Sequence, residues 1–191
     1  QDVEQFAAQI SKAGISSARP PTVCVQRHFV QTFPERWLEA SVRSNLSAVD
    51  ASLLERPVHG QVLTFAAGDR DLIDLLAVSA SGRLAVLELK ASEDIHLPVQ
   101  ALDYWMRIAW HAESGELKHF FPGVSLDGRP PRLLLVAPAI CFHSSNASVL
   151  RYFSRDIEVE RIGVNSDWHE KLKVVLRLKG ADAPISHRSS Q

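Results

Sequence analysis

Residues 132–140, RLLLVAPAI, are apolar almost without interruption, and a run without alternation needs cover on both of its faces. It reads as an interior strand of a sheet with helices on either side, the setting in which parallel strands occur. The neighbouring segments supply matching pieces. Upstream lie three runs with the period of strands: VHGQVLTF at 58–65, DLIDLLAV at 71–78 and RLAVLELK at 83–90. Short polar segments, AAGDR and SASG, divide them and suit hairpin loops, so a three-stranded meander is expected. Helical spacing brackets this block. In QTFPERWLEASVRSNL, Thr32 can cap, Pro34 suits the first turn, Glu35 favours the positive end, and Leu38, Val42 and Leu46 share one face. A second helix over 97–113 opens at Pro98 and carries an apolar stripe of Leu97, Ala101, Ile108 and Ala112. Residues 144–154 read as helical, and IEVERIGV at 157–164 and LKVVLRL at 172–178 as two further strands. The fold class expected is α/β, a mixed β-sheet flanked by helices.

Two segments fall outside this core. Residues 1–22 place Val3, Phe6, Ala7 and Ile10 at helical spacing before the breaker stretch GISSARPP, which predicts an N-terminal helix and linker over 1–30. The last eleven residues, ADAPISHRSSQ, have no core-forming pattern and are expected to be a disordered tail after a main domain of residues 31–180. The chain begins with Gln1, as a processed chain or a domain of a longer protein would.

Composition bounds the function. With 191 residues, 46% of them hydrophobic, a core is affordable without staples. The two cysteines, Cys24 and Cys141, are too few and too distant for a disulfide framework or a Cys-rich zinc site, and fit a reducing, cytoplasmic setting. No apolar run approaches the roughly 20 residues of a bilayer span, and the N-terminus lacks a signal pattern. Lys and Arg number 21 against 22 Asp and Glu, so a claim of nucleic-acid binding needs local chemistry rather than net charge.

That local chemistry lies in LAVLELK. Glu88 and Lys90 stand two apart in an apolar strand, hence on one face. Burying both is costly unless they pair, bind a metal or reach a wet cleft. Asp74, in LIDLLAV, repeats the anomaly, and a hairpin through SASG sets it beside Glu88. Two carboxylates edged by a lysine suit a hard cation such as Mg²⁺ or Mn²⁺. The same residues also fit a salt bridge at a sheet edge.

Asp74 followed by Glu88-Leu89-Lys90 resembles the signature of the PD-(D/E)XK nuclease superfamily, with a preceding helix, the context IDLLAV and GRLAVLELK, and a following helix in the same order. The patterns E..LE, DLLA, G.L.V.ELK and Q...Y resemble its archaeal and bacterial branch acting on branched or mismatched DNA; the likeness covers about residues 34–110 well. The resemblance implies a restriction-endonuclease-like core and a Mg²⁺- or Mn²⁺-dependent endonuclease acting on DNA, with RNA also compatible. It implies that Asp74, Glu88 and the carbonyl of Leu89 ligate the metal and that Lys90 holds the attacking water. It further implies an outer-shell carboxylate from the first helix, Glu35 or alternatively Glu39, and an approach of Gln100 and Tyr104 to the site. Gln100, Tyr104, Arg107 and His111 are expected to form one polar stripe, with Arg107 a candidate phosphate contact. Arg36, Arg43, Arg70, Arg83 and Arg107 could form a local basic patch. A catalytically silent domain of the same fold, serving binding or assembly, is the alternative. Partners expected are DNA and a second copy or the remainder of a longer chain.

Overall fold

In a computed structural model the described residues are 33–63 and 72–183, without the side chains of 61–63 and 72–73. The expected N-terminal helix, the loop AAGDR with Arg70, and residues 184–191 of the tail lie outside them.

Helix α1 (Pro34–Ser44) starts at Pro34 with Phe33, not Thr32, at its N-cap, and no side chain caps it. A short helix, α2 (Leu46–Val49), follows after a break at Asn45. Leu38, Val42 and Leu46 are each 0% exposed, so the expected apolar face is the buried one. Strands β1 (His59–Leu63), β2 (Leu72–Val78) and β3 (Leu84–Leu89) come next, then α3 (Leu97–Glu113), β4 (Arg132–Pro138), α4 (Ser144–Leu150), β5 (Val159–Val164) and β6 (Val174–Lys179). They form one mixed sheet in the order β1-β2-β3-β4-β5-β6. β1, β2 and β3 pair antiparallel as a meander. β3, β4 and β5 run parallel, and β6 returns antiparallel. The turn between β2 and β3 closes with Gly82 N–H donating to Ser79 O, and Gly82 adopts φ 87°, a conformation that favours glycine.

The two parallel pairings need crossovers, which α3 and α4 supply. One face of the sheet, with Leu76, Val86, Leu133 and Leu135, packs on the Leu97, Ala101, Tyr104 and Ile108 stripe of α3. Tyr104 corrects the expected polar stripe. It lies three residues from Ala101 and four from Ile108, on their face, and at 8% exposure it belongs to this core while Gln100 is exposed. Leu75, Leu87 and Leu134 on the opposite face are also fully buried. Glu39 of α1 rests over Gly60, which pairs with Leu75, and this places α1 on that face.

The first residues after β6 are tied back to the sheet. Arg161, 5% exposed, donates from Nε to Gly180 O at 3.0 Å and from Nη2 to Asp182 O, and Ala181 packs against the core. A buried guanidinium thus holds the carbonyls of Gly180 and Asp182. No helix among the described residues is long and apolar enough to cross a membrane.

Candidate active site

The meander brings β2 and β3 together in the register Leu75 to Leu87 and Leu76 to Val86. Continued by one pair, that register sets Asp74 beside Glu88. The ladder ends there, and a side chain replaces the next backbone bond: Asp74 Oδ2 accepts the N–H of Leu89 at 2.8 Å. Lys90, one residue beyond β3, donates its own N–H to Val136 O at 3.0 Å, so β4 anchors its backbone. Asp74, Glu88 and Lys90 thus converge at the C-terminal end of β3.

Glu88 is buried at a cost. It is 3% exposed, and its Oε2 is buried without a hydrogen-bond partner. Burial, seconded by the Asp74 charge and opposed by Lys90, pushes its carboxyl from 4.5 up to about 9. Burial also raises Asp74 from 3.8 to about 6; the Leu89 N–H and Lys90 pull it back, and Glu39 and Glu35 add to the rise. Burial thus favours the protonated form of both carboxyls, and of Glu88 the more strongly.

These shifts make the metal-free fold sensitive to pH. Both groups bind protons more tightly folded than unfolded, so the stability they contribute is full below about 4 and is lost as pH rises through about 6 and about 9. In chelator, melting temperature should fall across this window. Asp74→Asn, which keeps an oxygen for Leu89 N–H, should gain roughly 1–3 kcal/mol at pH 8. A loss of stability in that variant would show that Asp74 is comfortable as an anion.

The helical carboxylates divide their roles. Glu35, on an exposed turn, places Oε1 4.0 Å from Lys90 Nζ. Glu39 is half-buried, and its charge weighs more on Asp74 than that of Glu35. A methyl on Gly60 would fall 2.6 Å from Glu39 Oε1 and 3.5 Å from Asp74 O, so the bare glycine leaves room for this carboxylate. Gly60→Ala is expected to cost under about 1 kcal/mol, because only the flexible end of Glu39 must move. It should also lower the Asp74 titration midpoint followed by carboxyl NMR; an unmoved midpoint would separate Glu39 from Asp74.

Asp94 was not visible as a site residue in the sequence. Its Oδ2 lies 3.6 Å from Lys90 Nζ, and its Oδ1 accepts His96 N–H at 2.8 Å. Two signals mark it in retrospect: an Asp two residues before the N-cap of a helix opened by proline, and a spacing of four from Lys90.

The remaining expected residues disperse. Arg107 pairs with Asp103 at 2.7 Å, and His111 with Glu116 at 2.6 Å. Arg36 lies over the Phe33 ring at 5.8 Å, and Arg43 donates to Val58 O at 3.4 Å. Arg83 precedes β3 while Lys90 follows it, a separation of about 20 Å at the rise of a strand, and Arg83 is ion-paired to Glu158. The expected basic patch thus loses Arg83 to the far end of the sheet. Of the tryptophans, Trp105 donates to Pro131 O at 2.6 Å, whereas Trp110 is 60% exposed.

The fit of a divalent cation rests on the Glu88 oxygen. A buried, unpartnered carboxylate oxygen beside a second carboxylate is a site whose charge only a cation or a proton satisfies. Among the described residues no three His, Cys, Asp or Glu side chains converge as a ready-made ligand group. Two carboxylates, a carbonyl such as that of Leu89, and water match Mg²⁺, which keeps several waters and takes one or two carboxylates.

No family model matches the chain, and no curated protein matches it. Among solved structures the chain is similar to EndoMS in complex with dsDNA, at 18% identity and a TM-score of 0.43, over 68% of this chain and 44% of that one. It is also similar to a repair endonuclease from Pyrococcus abyssi, at 17% identity and a TM-score of 0.43, over 78% of this chain and 50% of that one. The chain therefore spans half or less of the length of either.

Proposed function

We propose that the domain is a divalent-metal-dependent endonuclease that hydrolyses phosphodiester bonds in DNA, with Mg²⁺ or Mn²⁺ held by Asp74, Glu88 and the Leu89 carbonyl. The observation that carries this reading is the buried Glu88 oxygen without a partner, next to Asp74 and edged by Lys90. A salt bridge alone would not explain it: Lys90 Nζ lies near Glu35 and Asp94, and no ion pair joins it to Glu88. When bound, the cation polarises the scissile phosphoryl oxygen and lowers the pKa of coordinated water.

The chain's own residues do the rest. Asp74, fixed by Leu89 N–H, is the preformed anionic ligand, and Glu88 becomes one on losing its proton. Lys90 orients the attacking water and offsets the charge that grows on the phosphorane, a stabilisation felt most in the transition state. Glu39 and Glu35 add negative charge around the ligands. Gln100, exposed near the start of α3, is free to meet the substrate from that side. Arg107 follows two turns further along the same side of α3 and is paired with Asp103. DNA is the polymer proposed because the sequence pattern resembles nucleases acting on it.

The test is cleavage of single-stranded, duplex, branched and mismatched DNA, with RNA alongside, in Mg²⁺ or Mn²⁺ and in EDTA. Metal-dependent cleavage of DNA is the expected result. Binding without cleavage under every metal condition would favour the catalytically silent module instead.

A further inference from the structure

Lys90 is aimed by something other than the metal ligands. Its backbone is tied to β4 through Val136 O, and its ammonium sits 3.6 Å from Asp94 Oδ2 and 4.0 Å from Glu35 Oε1. Of these two carboxylates, Glu35 is 54% exposed and Asp94 only 25%. Asp94 is also the better anchored. Its second oxygen accepts His96 N–H at 2.8 Å, which ties the residue to the N-cap of α3, and α3 in turn is bolted to the sheet by Leu97, Ala101 and Ile108. A long lysine side chain otherwise samples many rotamers, and holding a charged head in one place costs side-chain entropy.

We infer that Asp94 is a positioning residue for Lys90, a rigid carboxylate arm that transmits the placement of α3 to the ammonium at the mouth of the Asp74–Glu88 pair. The inference rests on the hydrolytic reading above. Each end of Asp94 has its own task. Oδ1 shapes the turn into α3, and Oδ2 holds the ammonium. An asparagine keeps the first task, because its carbonyl oxygen can accept from His96 N–H. It loses the second, because it brings no negative charge to Lys90.

Asp94→Asn and Asp94→Ala therefore separate positioning from turn formation. In single-turnover cleavage of duplex DNA with Mn²⁺, both variants should be slowed about tenfold or more at saturation, with substrate affinity changed less than about threefold. A residue that merely shapes the turn would leave Asp94→Asn as fast as the parent and slow only Asp94→Ala. Faster cleavage by Asp94→Asn would make the carboxylate a brake on Lys90. Either outcome overturns the inference.

A second readout stands apart from activity. In a heteronuclear NMR spectrum of lysine NH₃⁺ groups, Lys90, assigned by its loss in Lys90→Ala, should give a resolved, slowly exchanging signal. That signal should merge with the exposed lysines in Asp94→Asn. If it does so while no preparation cleaves any nucleic acid, the contact stands and the hydrolytic reading fails. If it stays unchanged in Asp94→Asn while the parent cleaves DNA, the positioning role fails and the hydrolytic reading survives.

Discussion

Replacing Lys90 with alanine should slow DNA cleavage by about a hundred- to a thousandfold, the usual cost of losing one preorganised group that stabilises transition-state charge. Folding should be nearly untouched. The alanine keeps the N–H that bonds Val136 O, and the ammonium lost makes two long ion pairs, at 4.0 and 3.6 Å, besides the opposing charge it lends to Asp74 and Glu88. Partly exposed pairs of that kind contribute about 1 kcal/mol or less. Substrate affinity should change little, because the ammonium is spent on charge that appears as the reaction proceeds. Lys90→Arg should not restore the rate, since a planar guanidinium cannot fill the place of a compact ammonium held by Asp94. Single-turnover rates with thermal melts alongside check this; a Lys90→Ala enzyme within threefold of the parent would remove Lys90 from the chemistry.

Glu88→Gln and Asp74→Asn should each weaken Mn²⁺ binding at least about tenfold and reduce cleavage with it. The two variants should differ in another respect. Burial pushes the Glu88 carboxyl up to about 9 and so favours its protonated form, whose shape and charge glutamine copies in the metal-free protein. The melting temperature of Glu88→Gln at pH 7 in chelator should therefore equal that of the parent, while its metal response disappears. Asp74, raised to about 6, is mostly ionised at pH 7, and Asp74→Asn removes a charge that costs the apo fold stability. Loss of metal binding with unchanged or increased apo stability is a combination that a structural role for these acids would not give.

The sheet was legible because its periods are clean. The bounds 97–113 for α3 follow from Pro98 at the start and an apolar stripe that runs to Ala112, and they coincide with the observed helix. The Asp74, Glu88 and Lys90 cluster was legible because charge inside an apolar strand has few inexpensive explanations. What failed did so where spacing alone decides too little. Tyr104 reads as polar by type, yet one helical turn from Ala101 and Ile108 it can only enter the core. Arg83 is close to Lys90 in sequence, but a strand separates them by its full length. Asp94 and Gly60 contribute through a turn and through missing volume, neither of which a pattern of apolar and charged residues displays.

The central claim, that Asp74 and Glu88 form a divalent-cation site, is tested most directly by calorimetric titration of Mn²⁺ into the protein at pH 7 in two buffers of different ionisation enthalpy. Saturable binding with release of about one proton per metal is expected, because Glu88 must give up its proton to become a ligand, and Glu88→Gln should abolish that release. Absence of binding, or binding of equal affinity with equal proton release in Glu88→Gln, would contradict the claim.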